Sequence, residues 1–256
     1  MSVTAVVPAA GSGTRLGAGA PKAFVPLAGV PIVVRAVDGL LASGVVDEVL
    51  VAVPDVLVER ATELLRGRPV RVLAGGAERT ATVRLALDLL VAHGGERSAT
   101  PGGHAAVVAE AEPTIVAEAE RAERAQPTIV LVHDAARPLT PPSLVAAVVE
   151  AVRAGRPAVV PVLPVADTTK RVSSDGVVES TVDRSVLRAV QTPQGFALDT
   201  LRAAYAASDV DLVATDDAGL VERLGERVYT IPGDPAAFKV TTPWDLRIAE
   251  LLLEKA

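Results

Sequence analysis

Two cations, Arg15 and Lys22, flank a run of small residues, Ala9-Ala10-Gly11-Ser12-Gly13-Thr14, that follows the apolar stretch from Val3 to Val7. Small residues let backbone N–H groups come close to a ligand. A loop that adds fixed positive charge to such donors suits an anion such as a triphosphate. A P-loop is excluded, because Lys22 follows Pro21 and precedes Ala23 where that motif requires Gly-Lys-Ser/Thr. A dinucleotide fingerprint fits poorly: residue 16 is leucine, no helix follows directly, and Asp55 lies well beyond the usual spacing of ~20 residues to a ribose-binding acid. A plain glycine turn between strand and helix would need neither Arg15 nor Lys22.

Further along, Asp134 follows the apolar run Ile129 to Val132, placing a carboxylate at the edge where open α/β sheets bind ligands. One carboxylate there suits Mg²⁺, which takes a carboxylate or two and completes its shell with phosphate oxygens. The competing role for Asp134, a helix cap, is weaker because Thr140-Pro141 makes the better helix start. His133 has no acid or metal partner at ligand spacing, so it is expected to be a packed, hydrogen-bonded residue. Lys239 sits between Phe238 and Val240, which points its charge at a specific partner rather than along a helix surface. Lys170 and Arg184 are as readily explained as charges that solvate an exposed ribbon.

The elements that must position these groups follow from apolar periodicity. Strands are predicted at Val3 to Val7, Val49 to Val53, Val70 to Ala74, Ile129 to Val132 and, shorter, Ala158 to Val160. Helices are predicted from Pro31 to about Ser43, ended by Gly44, from beyond Asp55 to about Arg66, and from Thr80 to Leu90 with a wide buried face. A further helix opens at Thr140 as N-cap with Pro141 first and runs to about Ala154. Leu198 to Ala207, Asp216 to Leu224 and Thr242 to Leu253 complete the helices, with a strand at Val228 to Ile231. The βαβαβα beginning predicts a mostly parallel sheet with helices on both faces. Lys170 to Glu179 departs from that pattern as a hairpin turning at Asp175-Gly176. A lone two-stranded ribbon is marginal in water, so it is expected to lean on the same arm of a second subunit. About 94–127 breaks the rhythm with a Gly/Pro-containing piece and an Ala/Glu/Arg-rich stretch, and is expected to be a surface insertion without catalytic role.

Composition limits the partners. The chain has 256 residues, half of them hydrophobic, enough for one α/β domain with a substantial core. A net charge of −6 argues against a general nucleic-acid or membrane-surface binder, so positive charge must be local. The absence of cysteine excludes disulfides, thiolate metal sites and cysteine nucleophiles. Neither a signal-peptide pattern nor an apolar run long enough to span a bilayer is present, and a cytoplasmic protein is expected.

Pro8 to Leu16 with Pro21-Lys22, Gly75-Gly76-Ala77-Glu78-Arg79, His133 to Pro138, Asp167-Thr168-Thr169-Lys170, Gln191-Thr192-Pro193-Gln194 and Lys239-Val240-Thr241 together resemble the 2-C-methyl-D-erythritol 4-phosphate cytidylyltransferase family of the non-mevalonate isoprenoid pathway. The resemblance is collinear from Val3 to Leu253, with only about 94–127 outside it. It implies a Rossmann-like nucleotidyltransferase fold in a single domain over 1–256, with a protruding β-hairpin dimerisation arm at about 163–187. It implies that Ala9, Ala10, Gly11 and Gly13 cradle the CTP phosphates and that Arg15, Lys22 and Lys239 act on the reacting phosphate. Gly75, Ala77 and Thr82 would surround cytosine and ribose, with Thr82 standing where the family usually has serine. Asp134 would hold Mg²⁺ or another divalent cation. Thr168 and Arg184 would reach a polyol phosphate from the partner subunit, with Thr192 and Thr215 on the home side, in a homodimer. Alternatives are a ribitol 5-phosphate cytidylyltransferase or a nucleotide-sensing module without catalysis. The latter is disfavoured by the presence of Arg15, Lys22, Asp134 and Lys239 together.

Overall fold

The computed structural model describes residues 1–11, 21–76, 78–92, 128–208 and 216–254. Chain order begins with β1 (Val3–Pro8), the two-residue strands β2 (Pro26–Leu27) and β3 (Val30–Pro31), and α1 (Ile32–Ala42). Then come β4 (Glu48–Val53), α2 (Val58–Leu64), β5 (Val70–Ala74), α3 (Arg79–Ala92), β6 (Ile129–Val132) and α4 (Pro142–Arg153). After β7 (Ala158–Pro164) the arm strands β8 (Thr169–Val172) and β9 (Val178–Val182) lead to β10 (Arg188–Val190) and β11 (Gln194–Ala197). Two helices, α5 (Leu198–Ala207) and α6 (Asp217–Arg223), precede β12 (Val228–Pro232) and α7 (Pro243–Glu254). No helix among the described residues is long and apolar enough to cross a membrane.

Eight strands form one mixed, mostly parallel sheet in which β1 lies between β4 and β6, parallel to both. The chain runs from β1 outward to β4 and β5, then returns to β6 on the opposite side of β1. The carboxyl ends of β1 and β6 therefore flank the switch point, where such sheets leave a crevice. The β1 alternation assigns the two faces. Val3, Ala5 and Val7 pack with α1 and α4, while Val6 packs with Leu50, Val130, Val132 and the inward side chains of α3, α5 and α6. Burying each such valine or leucine contributes about 1.5–3 kcal/mol, so a one-residue slip of β1 would strand its whole apolar set on the wrong face. A third apolar cluster, Val25, Leu27, Ile32, Val240 and Ala249, seats α7 beside β2.

Four predicted details change. Strands β10 and β11 were not foreseen; β11 lies antiparallel between β6 and β7, and β10 runs antiparallel to β7. Helix α4 starts at Pro142, not Pro141. Pro141 precedes a proline and is held extended at φ −62° and ψ 137°, while the Thr140 hydroxyl donates to the Arg137 carbonyl instead of capping. Pro31 likewise sits just outside α1, paired in β3. The buried face of α3 is narrower than predicted, because Val83, Ala86, Leu87 and Leu90 point inward while Leu85 is 44% exposed. The 94–127 insertion lies outside the described residues. The hairpin turns as predicted, with Gly176 at φ +86°, and its strands pair with each other apart from the main sheet.

Candidate active site

Strand β1 runs to Pro8, and its pairing with β4 closes on one last bond, from the Ala9 N–H to the Ala52 carbonyl at 2.7 Å. The chain thereby turns across the top of the sheet, and Ala9, Ala10 and Gly11 form one wall of an open cleft of about 740 Å³, solvent included. Lys22, on a single 3₁₀ turn over Lys22–Phe24, contributes to the same wall. Opposite stand Gly76, Glu78, Arg79 and Thr82 at the start of α3, and Asp134, Ala135, Ala136 and Lys239 complete the lining.

Gly75 sets the width of this crevice. A Cβ there would lie 2.6 Å from Ala10 Cβ and 3.3 Å from Thr82 Oγ1, so only glycine lets the β5 end approach the β1 loop this closely. Thr82 is 1% exposed, and its hydroxyl donates to the Glu78 carbonyl at 2.9 Å in the first turn of the helix.

Asp134 is held from several sides. The His133 N–H continues the β6 ladder to the Val6 carbonyl at 2.9 Å, so the carboxylate emerges directly beside β1. The Asp134 N–H donates to Thr192 Oγ1 at 3.0 Å, and that hydroxyl lies 3.1 Å from His133 Nδ1. With the Thr192 hydroxyl donating to Nδ1, Nε2–H donates to the Arg137 carbonyl at 3.3 Å, leaving a neutral imidazole with both nitrogens engaged. Complete burial lowers His133 to about 4, with the Arg137 charge acting in the same direction and the Asp134 carboxylate and the hydrogen bonds opposing it. His133 is thus the packed residue that its isolation in the sequence predicts. Thr192, expected beside the acceptor, is 5% exposed, and its hydroxyl accepts from the Asp134 N–H.

Three cations face the Asp134 carboxylate. Lys239 Nζ is 3.1 Å and Arg137 Nε 3.4 Å from Oδ2, and Arg79 Nε is 3.8 Å from Oδ1. Burial would raise the Asp134 pKa, yet Lys239, Arg79 and Arg137 outweigh it and hold it at about 2. Lys239 reaches this point because its segment is docked: Val240 N–H donates to the Ala136 carbonyl at 2.8 Å, and Arg137 Nη1 donates to the Ala237 carbonyl at 2.6 Å. Lys239 is therefore directed into the cleft, as predicted, with 46% of its side chain exposed.

A side chain such as Asp134, 13% exposed, anionic and facing the cleft, fits Mg²⁺, whose remaining ligands are commonly substrate phosphates and water. Among the described residues no group of three or more ligating acids or histidines is present.

The cleft thus brings together Ala9, Ala10, Gly11, Lys22, Thr82, Asp134 and Lys239, with Gly75 at its edge. Thr168 and Arg184 stand exposed at the base of the arm, outside the lining, where Arg184 donates to the Ala166 carbonyl. Gly13, Arg15, Ala77 and Thr215 lie outside the described residues. The sequence had placed Arg79 and Arg137 in motifs without giving them work. Arg137 clamps the Asp134 turn to the Lys239 segment, and Arg79 forms part of the cleft wall. Their signal was an arginine in a segment that also carries a site residue.

A cleft lined by Lys22, Arg79 and Lys239 beside Glu78 and Asp134, at the switch point of a mostly parallel sheet, defines an α/β protein with a charged crevice where open sheets of this kind bind ligands. The profile of the family described as IspD, 2-C-methyl-D-erythritol 4-phosphate cytidylyltransferase, matches residues 3–97 and 110–255. A protein of that name from Nocardia farcinica is 54% identical over 255 residues, covering 99% of this chain and 95% of the relative. One from Saccharopolyspora erythraea is 55% identical, covering 99% of this chain and all of the relative. The crystal structure of the enzyme of that name from Thermus thermophilus superposes with a TM-score of 0.72 at 34% identity, covering 99% of this chain and 100% of that one. The chain belongs to the 2-C-methyl-D-erythritol 4-phosphate cytidylyltransferase family.

Proposed function

We propose that the protein transfers CMP from CTP to 2-C-methyl-D-erythritol 4-phosphate, releasing pyrophosphate. The observation that carries this reading is the convergence of Lys22, Asp134 and Lys239, from three distant parts of the chain, on one cleft beside the Ala9-Ala10-Gly11 loop.

The acceptor is a phosphate monoester and already anionic at neutral pH, so the chain need not supply a base. An acceptor phosphate oxygen forms the new bond to the α-phosphorus, the bond to the β-phosphate bridging oxygen breaks, and the electron pair leaves with pyrophosphate. Catalysis is then positioning and charge stabilisation. Lys22 and Lys239, with Arg15, stabilise the charge on the α-phosphate oxygens and leaving group, each supplying about 10²–10³ in rate. Ala9, Ala10, Gly11 and Gly13 hold the triphosphate by backbone donors, and Gly75, Ala77 and Thr82 enclose the nucleoside. Asp134 holds a divalent cation, Mg²⁺ in the first instance, which when bound neutralises phosphate charge. Thr168 and Arg184 come to the acceptor from the arm of a second subunit, with Thr192 and Thr215 meeting it on the home side.

The test is pyrophosphate release from CTP with Mg²⁺, with methylerythritol phosphate and ribitol 5-phosphate offered separately. Turnover with the first acceptor is expected. Turnover with ribitol 5-phosphate alone would change the acceptor, and turnover with neither would leave a nucleotide-sensing module. Lys22→Ala with near-normal kcat and an intact fold would remove the proposed role of that cation.

A further inference from the structure

Behind the cleft wall lies a charged group to which the proposed chemistry gives no task. Asp217, in the first turn of α6, is fully buried. Its Oδ1 accepts from the Tyr205 hydroxyl at 2.6 Å, and its Oδ2 lies 2.6 Å from Arg79 Nη2. Burial and the neighbouring Asp217 carboxylate push the Tyr205 phenol well above its ordinary pKa, so it remains a donor. Burial opposes the Arg79 charge, yet Asp217 and Asp134 hold the guanidinium pKa above its usual value.

The start of α6 is itself fixed. Asp216 accepts from the Gly219 N–H at 3.0 Å, and Gln194 on β11 donates to Asp216 Oδ2 at 2.8 Å while accepting from the Ala218 N–H at 3.1 Å. Since β11 pairs with β6, the position of Asp217 is referred to the strand that leads into Asp134.

Arg79 thus stands between two carboxylates and is committed to one of them. It is 2.6 Å from Asp217 but 3.8 Å from Asp134 Oδ1, beyond hydrogen-bond distance. Lys239 and Arg137 both approach the other oxygen, Oδ2. We propose that Asp217, backed by Tyr205, is a positioning residue that holds Arg79 off Asp134 and so keeps Oδ1 open to a divalent cation. The inference rests on the reading of Asp134 as the metal-holding residue. A buried carboxylate is the right device, because desertion by Arg79 would leave it uncompensated in the interior. The guanidinium cannot move to Asp134 without stranding Asp217. Removing the Asp217 charge lifts that restraint, and Arg79 then closes on Asp134 and competes with the metal.

The test is direct binding, with turnover measured in parallel. Mn²⁺ is titrated by EPR into the intact protein, alone and with a non-hydrolysable CTP analogue. Asp217→Asn is expected to weaken Mn²⁺ binding about tenfold. Tyr205→Phe, which removes one hydrogen bond, should shift it less in the same direction. Arg79→Gln combined with Asp217→Asn is expected to restore the wild-type affinity, which a merely structural role for Asp217 would not do. An unchanged affinity in folded Asp217→Asn overturns the proposal. So does a loss in Arg79→Gln alone equal to that in Asp217→Asn, because Arg79 would then support the metal rather than compete with it. If Asp217→Asn does not fold, an unchanged affinity in Tyr205→Phe overturns the proposal instead. Tight Mn²⁺ binding that Asp134→Asn leaves intact removes the reading of Asp134, whereas failure of turnover with normal Mn²⁺ behaviour counts only against the assigned reaction.

Discussion

Gly75 and His133 govern the site without needing to touch substrate. Gly75→Ala drives a methyl into Ala10 at 2.6 Å, and the β1 loop must move away. The expected outcome is a CTP KM raised at least tenfold with a melting temperature within a few degrees of wild type, read by steady-state kinetics and thermal unfolding. His133 makes a pH prediction. Its folded pKa of about 4 lies below the ordinary 6.5, so the unfolded chain takes up the proton first. Its contribution is present above pH 6.5 and is lost as pH falls from 6.5 toward 4, by up to ~1.4 kcal/mol per pH unit. Asp134, lowered to about 2 from 3.8, loses its contribution in a separate and more acid window. Urea unfolding at stepped pH should show the first decline, and His133→Asn should flatten its slope whatever it does to absolute stability. At this scale the sequence was informative where a charge stands out against small or apolar neighbours, as with Lys22 and Lys239, both of which line the cleft. Arg79 was not legible, because its ion-pair partner Asp217 lies in a different helix, distant in sequence.

Among the elements, strands announced by unbroken apolar runs were legible: β1, β4, β6 and β7 are buried almost throughout. Strand β11 was not, because Gln194 and Gly195 interrupt the apolar signal. Both are required by neighbours invisible to local pattern. Gln194 bonds the start of α6, and a side chain at Gly195 would collide with Val148 of α4. The arm was legible through its turn residues, and its exposed Val172, Val177 and Val178 are what a second copy would cover. With the arm proposed to join two copies, replacing Val172 and Val178 by glutamate should give a monomer by light scattering, and should lower turnover to the extent that Thr168 and Arg184 act in a neighbouring cleft as proposed. A variant that remains dimeric would place the interface elsewhere.

At the scale of the molecule, the fold class followed from the βαβαβα order, since parallel strands with short helical crossovers leave few other arrangements. The mixed character of the sheet did not, because it depends on strands that sequence pattern conceals. The family profile leaves 98–109 unmatched, within the stretch expected to be dispensable. Deleting about 96–126 is expected to keep kcat/KM within a few-fold of the full chain, in the pyrophosphate-release assay, as for other surface insertions. A loss of a hundredfold or more would assign that stretch a part in catalysis.

The placement of β11 between β6 and β7 also orders events during synthesis. The first three parallel strands, β1, β4 and β5, use neighbouring segments and can associate while later segments are still being made. The sheet beyond β6 cannot close until residues 194–197 arrive to bridge it to β7, and Lys239 docks on Ala136 later still. Such long-range closure is slow in proportion to the chain it encloses. A nascent or truncated chain therefore carries a half-built sheet with an open edge, and chaperone dependence should peak in the interval between emergence of β7 and emergence of β11.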